Sequence, residues 1–189
     1  MDKRSEKKKI RNRYLRYRSS LPQKDVDRKS NAVLNQLKSF DILGDASFIH
    51  CYLSIAERGE INTFTLIEWL IEQRKKVAVP KSDFETKEMK NFLLTDLNSL
   101  VENSLGIPEP AGGVEIPNEK IDVVLVPMVA ADPDKNRLGY GEGFYDRFLT
   151  KTPAVKVGLV YEECLMDDSL PVEEFDVPMD YLVTEKRIL

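Results

Sequence analysis

The sequence predicts an α/β protein, a three-layer, mostly parallel sheet with helices on both faces, in one domain spanning residues 1–189. Three observations predict it. Apolar runs of strand length alternate with segments of helical periodicity, and parallel neighbours need crossover connections of that kind. The most continuous run, Ile121 to Pro127, has the unbroken hydrophobic character of a strand covered on both faces. After it comes Arg137 to Asp146, RLGYGEGFYD, which places a glycine loop between a strand and a helix start.

The elements follow in order. Ile10, Tyr14 and Tyr17 form a helical stripe in Glu6 to Ser19, ringed by basic residues. Pro22 opens a second helix, whose Val26, Ala32, Val33, Leu34 and Leu37 form an apolar side as far as about Phe40. Ala46 to Ser54 has strand length and composition, and a polar loop containing Glu57, Arg58, Gly59 and Glu60 follows. Thr63 is placed to cap a helix over Phe64 to Gln73, which buries Leu66, Ile67, Leu70 and Ile71. Lys76 to Pro80 and Met89 to Leu94 read as strands, Asn98 to Leu105 as a short helix, and IPEPAGG as an irregular loop. Strands at Val155 to Tyr161 and Tyr181 to Thr184 complete the chain.

A hydrophobic fraction of 42% and a charged fraction of 32% describe a soluble globular protein. No window approaches a membrane span and the basic N-terminus has no apolar signal region, so a cytoplasmic location is expected. Cys51 and Cys164 lie far apart outside any CxxC, which favours buried free thiols over a disulfide or metal pair. One histidine, His50, argues against a histidine triad or a His-rich metal site. The net charge of −4 hides an asymmetry, because residues 1–30 carry twelve basic and four acidic side chains. That block is a nucleic-acid arm, a solvated helix face, or a source of cations for a bound anion; the acidic body disfavours a broad nucleic-acid surface. Lys7 and Arg11 are four apart on one helix face, so both could meet one ligand.

Ligands of open α/β sheets bind beyond the carboxyl ends of the strands, which makes Glu60, Arg137 and Asp146 candidate neighbours. Gly139, Gly141 and Gly143 permit positive φ and close backbone approach, but their GxGxG spacing fits neither a P-loop nor GxGxxG. On spacing alone, a plain strand-to-helix turn and a phosphate cradle stand level. Arg137 and Asp146 favour the cradle, since a cation and a carboxylate beside such a loop suit a magnesium-bound phosphate.

RLGYGEGFYDRFL closely resembles the signature of the 5-formyltetrahydrofolate cyclo-ligase family. Lys7-x-x-x-Arg11, Glu60-Ile61-Asn62-Thr63 and FDVPMDYLVTE stand in the matching order, so the resemblance spans nearly the whole chain. It implies an ATP- and Mg2+-dependent enzyme that cyclises 5-formyltetrahydrofolate to 5,10-methenyltetrahydrofolate with release of ADP and phosphate. It also implies a fold similar to the sugar-phosphate isomerase and CoA-transferase group. Carried over residue by residue, it assigns ATP binding to Lys7, Arg11 and the motif Arg137, Leu138, Gly139, Tyr140, Gly141, Glu142, Gly143, Phe144 and Tyr145. Ile55, Glu60 and Tyr140 to Phe144 fall to the folate, magnesium to Asp146 and Asp180, and the catalytic cation is Arg137.

For Glu60 a hydrogen bond to the donor edge of the pterin is expected, against the alternative of a surface glutamate. For Asp180 the alternative is a capping or turn aspartate before the last strand. Tyr140, Phe144 and Tyr145 either stack on a pterin or pack. Glu142 departs from the family pattern, because a carboxylate beside phosphates is unfavourable unless it points outward or meets a cation. Asn62, Met128, Ala131 and Asn136 also depart from it. Two other functions compete: a sugar-phosphate or CoA-ester enzyme on the same kind of sheet, and an RNA-binding module using Tyr14 and Tyr17.

Overall fold

The computed structural model describes residues 2–189. Two helices, α1 (Lys3–Ser20) and α2 (Gln23–Lys38), open the chain. Asp2 accepts a hydrogen bond from the Arg4 backbone N–H, so α1 starts at Lys3 rather than Glu6. A helical turn, α3 (Ile42–Asp45), leads into β1 (Phe48–Cys51), and α4 (Phe64–Glu72) returns the chain to β2 (Lys76–Ser82) and β3 (Met89–Leu94). Two short strands, β4 (Leu100–Glu102) and β5 (Pro108–Pro110), precede β6 (Val123–Pro127). A small hairpin of β7 (Ala130–Ala131) and β8 (Arg137–Leu138) then presents the glycine motif and α5 (Phe144–Leu149). Last come β9 (Val155–Leu159) and β10 (Tyr181–Val183).

The central sheet runs in the order β10-β9-β6-β1-β2-β3. All its pairings are parallel except that of β3 with β2. The sheet is therefore mixed but mostly parallel, as the alternation of elements predicts. Val123, Val124, Leu125 and Val126 are all buried, which explains their unbroken apolar run at the sheet centre. The loops after β1, β6 and β9 emerge along one rim.

Three local expectations fail. Asn98 to Leu105 is not a helix: one 3-10 turn at Leu97–Ser99 gives way to β4, and β5 lies inside the segment expected to be irregular. Asn103 diverts the chain, since its side-chain oxygen accepts from the Leu105 and Ile107 backbone N–H groups, and Gly106 adopts a left-handed conformation. Thr63 does not cap α4, because its hydroxyl donates to the Tyr52 carbonyl at 2.7 Å, and Asn62 accepts from the Phe64 N–H instead. Asp180 lies before β10, at the amino end of the parallel strands and away from the glycine motif, where it accepts from the Lys156 backbone N–H at 2.8 Å. Asp122 does the same for β1, accepting from Ser47 and Phe48 N–H groups. Both aspartates staple neighbouring strand starts. Among the described residues no helix is long and apolar enough to cross a membrane.

Gly158 in β9 leaves no room for a side chain: a Cβ there would approach Met128 Cε to 2.2 Å and Leu182 Cδ2 to 2.8 Å. Gly158→Val is expected to cost about 1–3 kcal/mol of stability through overpacking. Denaturant unfolding checks this, and an unchanged midpoint and slope would contradict it.

Candidate active site

The candidate residues gather in a cleft of about 950 Å³ beyond the carboxyl ends of β1, β2 and β6. Its size lies in the range of pockets that enclose small-molecule ligands. One wall is α1. Lys7 and Arg11 both turn into the cleft, as their spacing of four predicts. Lys7 Nζ donates to Glu173 Oε2 at 3.0 Å and to Asp176 Oδ2 at 2.5 Å. Arg11 Nε donates to the Gly139 carbonyl at 2.7 Å and its guanidinium lies over Gly141. A Cβ on Gly141 would come within 3.3 Å of that guanidinium, and its φ of 104° disfavours other residues as well.

Arg137, at the start of the motif, pairs directly with Asp146 on α5, and its side chain is 5% exposed. Its Nε–H is buried without a hydrogen-bond partner among the described residues. An unpaired buried donor is costly, and a cleft-facing guanidinium with one such group is suited to an anionic ligand. Asp146 also accepts from the Val177 backbone N–H at 3.3 Å, which ties the glycine motif to the segment carrying Asp176. Asp176, not Asp180, is thus the acidic partner brought into the cleft beside Asp146. The sequence presents two aspartates four apart in FDVPMD, and only their register relative to β10 separates them.

Glu60 occupies the other end, beneath the loop after β1. Its Oε2 accepts from the Ile55 N–H at 2.7 Å, and Oε1 accepts from the Tyr140 hydroxyl. Ile55, Leu138, Tyr140, Phe144 and Tyr145 all line the same cleft. Phe144 makes an edge contact with Phe84, with ring centroids 5.1 Å apart and planes at 78°. Glu142 points outward and meets Lys87 Nζ at 2.7 Å, which holds its carboxyl below the usual range. That removes the electrostatic objection to a carboxylate in the motif.

Two polar residues of this region escape sequence reasoning. Arg18, one further heptad along α1 from Arg11, is 3% exposed and reaches Tyr140; the spacing of seven was the available signal. His50 lies fully buried on β1 below Tyr145. Asn91 Nδ2 donates to Asn118, so Asn91 Oδ1 must accept from His50 Nδ1–H at 2.7 Å. His50 Nε2 is then the acceptor for the Tyr145 hydroxyl at 3.1 Å. Cys51 and Cys164 are both free and buried, and burial pushes the Cys164 thiol up to about 12.

The fold and cleft define an enzyme of the open α/β-sheet class, with a cation-lined ligand site beyond the strand ends. Residues 3–185 match the 5-formyltetrahydrofolate cyclo-ligase family, and the chain belongs to that family. The 5-formyltetrahydrofolate cyclo-ligase of Haemophilus influenzae is 41% identical over 133 residues, covering 66% of this chain and 70% of that one. That of Mycolicibacterium smegmatis is 30% identical over 189 residues, covering 96% and 94%. The NMR structure of Aquifex aeolicus 5,10-methenyltetrahydrofolate synthetase superposes with a TM-score of 0.85 at 31% identity, covering 96% of this chain and 91% of that one. The resemblance carried by the glycine motif is therefore a true family relationship.

Burial pushes the imidazole of His50 down to about 4, against the upward pull of its Asn91 hydrogen bond. An unfolded chain, with the ordinary histidine value of 6.5, binds a proton in the window between those values that the folded chain does not. Stability should therefore fall as pH drops from 6.5 towards about 4, by up to about 1.4 kcal/mol per pH unit from this group. Unfolding measured across that window should show a shallower dependence in His50→Phe; identical slopes would contradict the assignment.

Proposed function

We propose that the protein uses ATP and Mg2+ to cyclise 5-formyltetrahydrofolate to 5,10-methenyltetrahydrofolate, releasing ADP and phosphate. One observation carries the reading: a single cleft joins a cation set, Lys7, Arg11 and Arg137, to an acceptor carboxylate, Glu60, at its other end. The cations suit the phosphates of a nucleotide. The carboxylate suits the adjacent N–H donors of a pterin edge.

The chemistry asks for charge stabilisation and positioning. The oxygen of an N-formyl group is a poor leaving group from its carbon, so the γ-phosphoryl of ATP is transferred to it and ADP departs. The anilino nitrogen then attacks the activated carbon, the carbon–oxygen bond breaks with release of phosphate, and the nitrogen loses its proton. Lys7, Arg11 and Arg137 offset charge on the phosphoryl oxygens, and the glycines at 139, 141 and 143 let backbone donors approach. Glu60 holds the pterin so that the formyl group meets the phosphate.

The acidic residues fit a magnesium ion carried with the nucleotide. Asp146 commits Oδ1 and Asp176 commits Oδ2 to protein partners, which leaves one oxygen of each available. Among the described residues no three ligating side chains form a ready metal cluster. That agrees with Mg2+, which takes one or two carboxylates and completes its shell with phosphates and water. When bound, the ion neutralises charge on the phosphates.

The test is the absorbance of methenyltetrahydrofolate formed from 5-formyltetrahydrofolate, with ATP and Mg2+ supplied together or singly. Product only with both is expected, and product without ATP would contradict the reading. Arg137→Ala is expected to slow turnover on the order of a hundredfold, as loss of a transition-state donor does. A Mg2+ titration separates the aspartates: Asp176→Asn should raise the concentration required, whereas Asp180→Asn should leave it unchanged. The reverse pattern would return the metal to Asp180.

A further inference from the structure

Arg18 is the most deeply buried cation of α1, and it sits where the cleft meets the core. Its Nε donates to the carbonyls of Arg58 at 3.1 Å and Gly59 at 3.2 Å, and Nη1 donates to the Met128 carbonyl at 3.3 Å. Nη2 donates to the Tyr140 hydroxyl at 2.7 Å and lies 3.6 Å from Glu60 Oε1. Arginine has no acceptor, so the Tyr140 oxygen must receive that bond and turn its own proton towards Glu60. The tyrosine hydroxyl is thereby given one orientation. Burial, and then the charge of Glu60, push the Tyr140 phenol well up, so the proton stays on oxygen.

The direction matters for Glu60. Glu60 lies beside a buried guanidinium and uses both of its oxygens as acceptors, one from the Tyr140 phenol and one from the Ile55 N–H. Two bonds leave capacity for two more, and these can be given only to donors. Gly59 keeps the arrangement tight: its φ is 57°, and a Cβ there would meet the Arg18 carbonyl oxygen at 2.6 Å. α1, the loop after β1 and the glycine motif are thus locked to one another at the point where Glu60 faces the cleft.

We propose that Arg18 is a positioning residue which, through Tyr140, fixes Glu60 as an acceptor and so makes the cleft selective for a heterocycle presenting two adjacent N–H donors. The inference rests on the folate reading of the site and deepens it. Arg18 touches neither substrate; its effect is on which ring binds. A site built to accept from two donors rejects an analogue lacking one, because the acceptor is then left unpaired in a buried place.

The test compares the full-length protein with Arg18→Met, Tyr140→Phe and Glu60→Gln. Tyr140→Phe keeps the ring and removes only the hydroxyl, so it carries the test if Arg18→Met does not fold. The ligands are 5-formyltetrahydrofolate and an analogue with methyl in place of the pterin amino group. Tyr140→Phe is expected to raise the KM for folate about tenfold, the scale of one charge-assisted hydrogen bond, while the KM for ATP moves less than about twofold. Equilibrium binding should show its preference for the amino over the methyl compound falling by a similar factor. In a Glu60→Gln background the same change should add less than about twofold, as expected for residues that act through one another.

Folate and ATP constants rising together would overturn the inference, as would a full Tyr140→Phe effect that persists in Glu60→Gln. An unaltered protein that converts folate beside a Tyr140→Phe variant with unmoved folate binding overturns this inference alone. An unaltered protein that neither binds nor converts 5-formyltetrahydrofolate overturns the folate reading, and this inference with it.

Discussion

The geometry of the cleft depends on the burial of one guanidinium. Arg18 is 3% exposed, and a charge removed from water is tolerated only when its donors are matched. Its partners are the backbone carbonyls of Arg58, Gly59 and Met128 and the hydroxyl of Tyr140. They lie on three segments: the turn after β1, the stretch after β6 and the glycine motif. Satisfying Arg18 therefore lays α1 across the carboxyl ends of the strands, and Lys7 and Arg11 follow because they share its helix face. The buried Tyr14, with Ile10, Leu15 and Tyr17 packed against the core, holds the same helix from its apolar side.

The two ends of the cleft are electrostatically distinct. At one, three cations are balanced by Glu173, Asp176 and Asp146. Phosphates reaching that end would compete with these carboxylates for the same cations. At the other end a carboxylate is balanced by Arg18 but keeps acceptor capacity facing outward. On the proposed function, a nucleotide at the first end and a pterin at the second would be held by opposite charges and oriented without covalent help.

Much of this was legible in the sequence, for physical reasons that can be named. The run from Val123 to Val126 has one environment, so its composition announces a central strand. The glycine motif is read because Gly141 and Gly143 take positive φ values that other residues resist. Lys7 and Arg11 are read because a helix converts a spacing of four into a shared face. The failures have a common origin in long-range packing. Asn103 turns the chain through side-chain bonds that periodicity does not register, so β4 lies where a helix is expected and β5 where an irregular loop is expected. Asp176 and Asp180 differ only in where β10 begins, and one enters the cleft while the other staples the sheet. Arg18 looks like any basic residue of its helix until the loop after β1 folds over it.

The most direct measurement of the central claim follows the formyl oxygen. 5-Formyltetrahydrofolate carrying a heavy oxygen isotope in its formyl group would be converted in a single turnover with ATP and Mg2+, and the released phosphate examined by mass spectrometry. Phosphorylation of that oxygen before ring closure predicts that the label is recovered in phosphate, one atom for each methenyltetrahydrofolate formed. Label recovered in water, with unlabelled phosphate, would contradict a cleft built to bring the nucleotide to the formyl group.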